Sequence, residues 1–378
     1  MLLMIDFTPS PLLILLAVAV VSLLVQLYYF LFTFLKVSRY KPIPASNSFP
    51  QVSVVICARN ESERLTAFLP LVLEQDYPHF EVIVVNDCSW DSSEDLLEAL
   101  AKQHKHLKVA NIKFVDKHEH GKKFALTIGI KAATNDILLL TDADCYPTSN
   151  QWMKQMMQGQ TDAKDIVLAY GKYERQEGLL NTFIRFDAFF IAVQFLGNAL
   201  KGNAYMGVGR NLSYKRNMFF TAKGFASHMH ILSGDDDLFI NEVATKENVA
   251  VVINKDAFTV SIPKQTWKEW FRQKKRHHST AKHYKSAHKQ TLIVYPLSWL
   301  FFHAAVITGL ILQYNVLILI ALYFLRTCIQ IAILHTAARK LNETDLGWRA
   351  PFLEFFQLIF INPVYFFSTF FVKKTKWM

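Results

Sequence analysis

The sequence predicts an α/β domain with a mostly parallel sheet, carried on transmembrane helices, and three observations support that. Apolar runs of strand length alternate with helical stretches from Val52 to Thr141. Polar residues cluster where each of these strands ends. Uncharged apolar runs, long enough to cross a bilayer, flank this part of the chain.

The first such run, Leu12 to Leu35, carries no charge over more than the roughly 20 residues a crossing needs, and Tyr28 and Tyr29 lie toward one end. No basic residue precedes Lys36 and no small-residue cleavage site follows, so the run reads as a retained anchor rather than a signal peptide. Lys36, Arg39 and Lys41 come after it and only Asp6 before it. The positive-inside bias therefore puts the amino terminus outside and the residues after Leu35 in the cytoplasm, at the inner face of a cell membrane.

A linker over residues 37–50 leads to a strand from Val52 to Cys57, a helix from about Glu61, a strand from Glu81 to Val85 and a helix from about Ser92. An apolar stretch around Val109 to Val115, a helix from Lys122 to Ala133 and a strand from Ile137 to Thr141 follow. The chain is then expected to turn at Tyr146-Pro147. The domain extends over residues 51–263. Within it, Phe183 to Leu200 is nearly all apolar and reads as a core helix; the alternative is an interfacial helix that leads a lipid-linked acceptor into the site.

Toward the carboxy terminus, Leu292 to Gln313 and Val316 to His335 read as a transmembrane hairpin that returns to the cytoplasm at Arg339, Lys340 and Arg349. One further apolar run, Phe352 to Val372, contains Glu354, Gln357 and an Asn362-Pro363 break. A crossing there would place Lys373, Lys374 and Lys376 outside, so a re-entrant or interfacial hairpin is expected, with a third crossing as the alternative. Residues 1–36 thus form an anchor and 291–378 a membrane region.

The chain is 52% hydrophobic and 14% aromatic over 378 residues, too apolar for an ordinary soluble enzyme. Its net charge of +10 does not read as a nucleic-acid surface, because the basic residues gather beside membrane. Residues 264–290 hold many of them around Trp267, Trp270 and Phe271, the pattern of an amphipathic helix on anionic lipid headgroups. His277, His278, His283 and His288 read as solvated at that interface. Cys57, Cys88, Cys145 and Cys328 show no paired spacing, so neither a disulfide nor a zinc site is expected.

Parallel α/β sheets bind ligands beyond the carboxyl ends of their strands. Three successive strand ends here carry Ala58-Arg59-Asn60-Glu61, Asn86-Asp87-Cys88-Ser89 and Asp142-Ala143-Asp144. The turn after the first strand has no glycine, which excludes a dinucleotide fingerprint, and no phosphate-cradling Walker loop occurs. Two carboxylates one residue apart at a strand tip suit a hard cation, Mg2+ or Mn2+, shared with substrate phosphates. Asp235, Asp236 and Asp237 follow Gly234. Adjacent like charges raise at least one carboxyl pKa, the condition a general base needs.

Together these segments, with Gly121-Lys122 through Ala125-Leu126, Gly234-Asp235-Asp236-Asp237 and Gln273-Lys274-Lys275-Arg276, closely resemble the membrane-integrated family-2 glycosyltransferases of the GT-A fold over roughly Pro50 to Ala281. The resemblance implies that Ala58, Arg59, Asn60 and Glu61 close on a nucleotide-sugar donor and that Asp87 contacts the uracil of a UDP-sugar. It places Asp142 against ribose or donor sugar, Asp144 on the metal, Lys122 near the donor, and Gln273 and Arg276 at the diphosphate. Anchoring on Gly234 makes Asp236 the base; anchoring on the Asp-Leu that follows in the family would choose Asp235. Gly209, Arg210 and Asn211 resemble an acceptor loop. His277 stands where processive members carry a tryptophan near the acceptor, which puts that role in doubt. The expected acceptor is lipid-linked or glycan. An inactive nucleotide-sugar-binding scaffold and a polysaccharide synthase, which would need oligomers or an export partner to build a pore, are the alternatives.

Overall fold

The computed structural model describes residues 11–44, 48–113, 121–231 and 233–363. It begins with helix α1, Pro11–Ser38, which carries a widened π-turn over Phe30–Phe34. The first half of the α/β body then alternates as its hydrophobic pattern requires: β1 Val52–Ala58, α2 Ser62–Leu73, β2 Phe80–Asp87, α3 Ser93–Gln103, β3 Leu107–Ile112, α4 Lys122–Ala132 and β4 Ile137–Leu140. The expected apolar stretch at 109–115 begins earlier, at Leu107, and its last residues, Phe114 and Val115, lie outside the described residues. Where a turn was expected at Tyr146-Pro147, the chain forms β5, Cys145–Pro147, because that segment finds a partner strand more than a hundred residues later.

Next come α5 Trp152–Met157, β6 Ile166–Ala169, β7 Gly171–Tyr173, α6 Leu179–Leu200, β8 Leu212–Lys215, α7 Arg216–Thr221, α8 Asp237–Val243, β9 Val249–Val252 and β10 Thr259–Ser261. Seven strands form one twisted sheet in the order β3-β2-β1-β4-β8-β6-β9, with β8 antiparallel to both neighbours and the remaining pairs parallel. A small sheet, β5-β10-β7, stands beside it. The four residues of β4 are all buried, as expected for a parallel strand covered on both faces.

Helices α9 Trp267–Ala281, α10 Ser286–Ile311, α11 Val316–Lys340 and α12 Ala350–Ile361 complete the described chain. Helix α9 is amphipathic, yet its aromatic face turns inward. Trp270 is buried, Trp267 and Phe271 pack on the main core, and the Trp267 ring lies 5.9 Å from that of Phe183. The aromatic residues therefore pack on the core, whereas Lys268, Glu269 and Arg272 of the opposite face stay exposed. Helix α9 is accordingly packed against the α/β body through its aromatic face.

Four helices are long and apolar enough to cross a membrane: α1, α6, α10 and α11. Of these, α6 is mostly buried inside the protein, which makes it the core helix of the first reading, whereas α1, α10 and α11 present large apolar side chains outward. Gly197 lets α6 approach α1 closely; a Cβ there would sit 2.7 Å from the Thr33 carbonyl oxygen. The α10–α11 connection at Tyr314-Asn315 is a tight turn with Gln313 and Asn315 left-handed. Helix α12 is shorter than a crossing; the rest of the expected last run, through Val372, and the lysines after it lie outside the described residues.

A buried polar cluster joins these helices. Arg326 of α11 donates to Gln26 of α1 (2.6 Å), to Gln330 (2.8 Å) and to Glu354 of α12 (2.7 Å). Glu354 also accepts from Gln330, from the Trp299 indole and, in a very short bond, from the Tyr295 hydroxyl of α10. Every charged group in it is paired and hydrogen-bonded, the condition under which ions are tolerated away from water.

Candidate active site

The parallel register of β1, β2 and β4 brings their carboxyl ends to one edge: Ala58 lies opposite Asn86, and Val55 opposite Leu140. Past Ala58 the chain turns at Asn60, whose φ of 55° is a conformation asparagine tolerates better than most residues. Its N–H donates to Ser89 Oγ (2.9 Å) and its side-chain oxygen accepts from the Trp90 N–H (2.9 Å). The Ser62 N–H donates to Asp91, and Arg59 stacks 5.6 Å above the Trp90 ring. The loops after β1 and β2 are thus one tied rim. Asp87 ends β2 fully buried, and the cap of α3 falls to Ser92, with Asp91 accepting from the Ser93 N–H.

Lys122, on the first turn of α4, reaches the centre. Its ammonium lies 2.8 Å from Asp142 and 2.8 Å from Asp235. Burial opposes that charge, but the two carboxylates outweigh it and raise the lysine pKa well above its ordinary value. Asp235 is buried too, and Lys122 nonetheless holds its pKa below the usual carboxylate range. Asp236 is the opposite case: burial first, then the charges of Asp235 and Asp237, push it up to about 7 against the pull of Lys122 and the Gly209 N–H. Asp236 caps α8, accepting from the Asp237 N–H (2.8 Å) through one oxygen and from Gly209 (2.7 Å) through the other. Asp237 is committed to α9, accepting from Thr280 and from Tyr284 (2.7 Å). Three adjacent acids therefore do three different things.

Asp142, Asp144 and Cys145 bring donor atoms within 4.8 Å of one another. Burial, with the two acids beside it, holds the Cys145 thiol neutral, and it donates to Asp144 (3.3 Å). That leaves two half-buried carboxylates, an oxygen set that fits Mg2+ or Mn2+ better than a thiophilic ion.

A cavity of about 550 Å³ opens over these groups, within the range of small-molecule sites. Arg59, Glu61, Lys122, Asp142, Asp144, Gly209, Arg210, Asp235, Asp236, Gln273, Arg276 and His277 all stand in its wall. Ala58, Asn60 and Asp87, at the ends of β1 and β2, are not in that wall, and Ala58 and Asp87 are buried. Asn211 does not belong to an acceptor surface: it is fully buried, accepts from the Trp152 indole (3.0 Å) and donates to the Tyr170 and Ala257 carbonyls, so its polar atoms hold the scaffold together. The Arg210 guanidinium stacks 4.5 Å from the Tyr173 ring, in space kept open by Gly171, where a Cβ would come within 2.5 Å of Nε.

His277 and His278 face the cavity, not a lipid interface, and burial lowers both pKa values, that of His278 to about 3. His288 is likewise internal, bonded to Asn241 and Asn203. Sequence reasoning missed Asp187, Lys274 and Gln357, which meet inside the cavity wall. The one available signal was Asp187 itself, an acid in the middle of an apolar run.

Residues 53–221 match the model of the family described as Glycosyl transferase family 2. Over 94 residues the chain is 35% identical to the poly-beta-1,6-N-acetyl-D-glucosamine synthase of Staphylococcus epidermidis, covering 25% of this chain and 21% of that one. It is 29% identical over 112 residues to the glycosyltransferase AglE of Haloferax volcanii, covering 29% and 35%. The matched segments thus span well under two thirds of these relatives. Among solved structures, the mannosyltransferase PcManGT of Pyrobaculum calidifontis, in complex with GDP-Man and Mn2+, superposes with a TM-score of 0.57 at 17% identity, covering 93% of this chain and 99% of that one. It has the same fold, GT-A.

Proposed function

Because residues 53–221 form a glycosyl transferase family 2 domain, we propose that this chain transfers a sugar, with inversion, from a nucleotide-sugar donor, specifically a UDP-sugar, to a hydroxyl of a lipid-linked or glycan acceptor at the cytoplasmic face of a cell membrane. The observation that carries the reading is the pair Asp235 and Asp236, neighbours whose pKa values are driven in opposite directions by Lys122 and by burial. A carboxyl poised near neutrality beside a permanently charged one is what a general base requires.

Asp236 takes the proton of the acceptor hydroxyl as its oxygen forms the bond to the anomeric carbon. The bond from that carbon to the diphosphate oxygen breaks on the opposite face, and the nucleoside diphosphate leaves with the electron pair. Asp144, with Asp142, would hold a divalent cation, which would supply positive charge for the diphosphate. Lys122 pairs with Asp142 and Asp235 and holds both carboxylates in place, and Arg276 offers a planar guanidinium to phosphate oxygens. Arg59 and Glu61 bound the nucleotide side, with Asp87 beneath, and Gly209 allows close approach of the acceptor. A binding scaffold would have no use for a tuned base, which argues against the inactive alternative. The test is release of UDP by the membrane-embedded protein supplied with Mn2+, screened over donor sugars. No release with any donor while nucleotide binds would return the chain to the scaffold reading.

A further inference from the structure

The cavity is chemically two-sided. One end holds the acids and cations of the candidate site. The other is walled by Phe190, Ile191 and Phe195 of α6, Leu292 and Pro296 of α10 and Leu358 of α12. Between the two ends, Lys274 of α9 pairs with Asp187 of α6 at 2.6 Å, and Gln357 of α12 donates to the other Asp187 oxygen at 2.9 Å. We propose that the apolar end seats the hydrocarbon chain of a membrane lipid that is the sugar acceptor, with its head at the level of Asp187, Lys274 and Gln357 and its accepting hydroxyl toward Asp236. This rests on the glycosyltransferase reading and narrows its acceptor.

A soluble glycan has nothing to set against those six apolar side chains, whereas each methylene seated there raises affinity about fourfold. The cavity is also next to the bilayer. On α10, Leu292 and Pro296 face inward while their neighbours Ile293 and Leu297 are exposed on the outward face of a membrane-length helix. A chain thus has a route between membrane and cavity around one helix. The polar level suits a headgroup. Lys274 and Asp187 satisfy each other, and the buried Oε1 of Gln357 accepts no hydrogen bond among the described residues, so it is available to a hydroxyl or to a protonated phosphate. Polyprenyl phosphates and glycerolipids both offer a chain behind such a head.

The test is photo-crosslinking of the full chain in phosphatidylcholine vesicles, doped in one arm with a diazirine-bearing polyprenyl phosphate and in the other with a diazirine-bearing diacylglycerol. In at least one arm, labels should map to the peptides holding Ile191 and Leu292. Ile191→Trp, or Leu358→Trp if the first variant fails to fold, should reduce those labels roughly tenfold by excluding about two methylenes. Labels at the lipid-facing Leu317 and Phe324 should not change. Labels confined to lipid-facing residues in both arms, or cavity labels indifferent to both variants, overturn the proposal. UDP binding with Mn2+, measured separately, reads the donor site. If UDP binds and the cavity stays unlabelled, the lipid acceptor falls and the transferase reading stands. If the cavity is labelled and no nucleotide binds, the lipid site stands, but the transferase reading falls and the acceptor role with it.

Discussion

Asp236→Asn separates a base from a helix cap. Asparagine keeps one of the two acceptor oxygens, so it can still cap α8 by accepting from the Asp237 N–H while the bond from Gly209 is lost together with the proton acceptor. Turnover should fall about 100- to 10,000-fold, with donor binding unchanged. The wild-type profile is equally informative. A base with its pKa at about 7 is ionised in about half the molecules at pH 7 and in about a tenth at pH 6, so kcat/KM should drop near tenfold per unit on the acid side. Asp235→Asn removes the neighbouring charge that ranks after burial in raising Asp236, so the acid limb should move to lower pH in that variant. Stability has a sign of its own. The folded pKa lies above the ordinary 3.8, so the folded state binds its proton more tightly, and stability is lost as pH rises from there through about 7. Asp236→Asn lifts that penalty but gives up one hydrogen bond, so its stability, unlike that of the wild type, should not fall as pH rises through about 7. Normal turnover in Asp236→Asn, or a rate independent of pH between 6 and 8, would refute the assignment.

Chelation should abolish turnover and Mn2+ or Mg2+ restore it, with Asp144→Asn losing UDP binding as well; full activity in excess chelator sinks the metal site. A cysteine at exposed Glu247 should resist membrane-impermeant thiol reagents in intact cells and react after permeabilisation, and labelling before permeabilisation would invert the topology. Arg326→Leu strands a buried carboxylate at Glu354 and should lower stability by roughly 3 to 5 kcal/mol. Adding Glu354→Leu should recover part of that, and a double variant worse than the single one would mean the ion pair is not the source.

The first half of the domain was legible because its information is local. Each strand from β1 to β4 is a short apolar run, each helix between them has its own periodicity, and a parallel sheet gathers the strand tips without further instruction. Hence Asp142 and Asp144 could be placed at one strand tip from the chain alone, whereas Lys122 came only through the resemblance. The second half resisted because its decisive contacts are remote. β5 pairs with β10, Asp187 meets Lys274 and Gln357, and nothing near any of these residues names its partner. Asn211 was misread for the same reason: asparagine beside glycine and arginine looks like a sugar contact until the Trp152 indole, 59 residues away, is found on it. The aromatic triplet of α9 was read as a membrane face, since periodicity reports that a helix has an apolar side but not what covers it.

The buried cluster around Arg326 and Glu354 bears on how the protein is made. Helix α11 emerges with an arginine among apolar residues, a group that costs about 2.5 to 3.5 kcal/mol to insert alone. Its counter-ion lies 28 residues further along, and the third partner, Gln26, was synthesised 300 residues earlier. Gln26 of the first helix therefore has no Arg326 to accept from until the whole α/β domain between them has been made. Only when α12 arrives can the four helices close on one another.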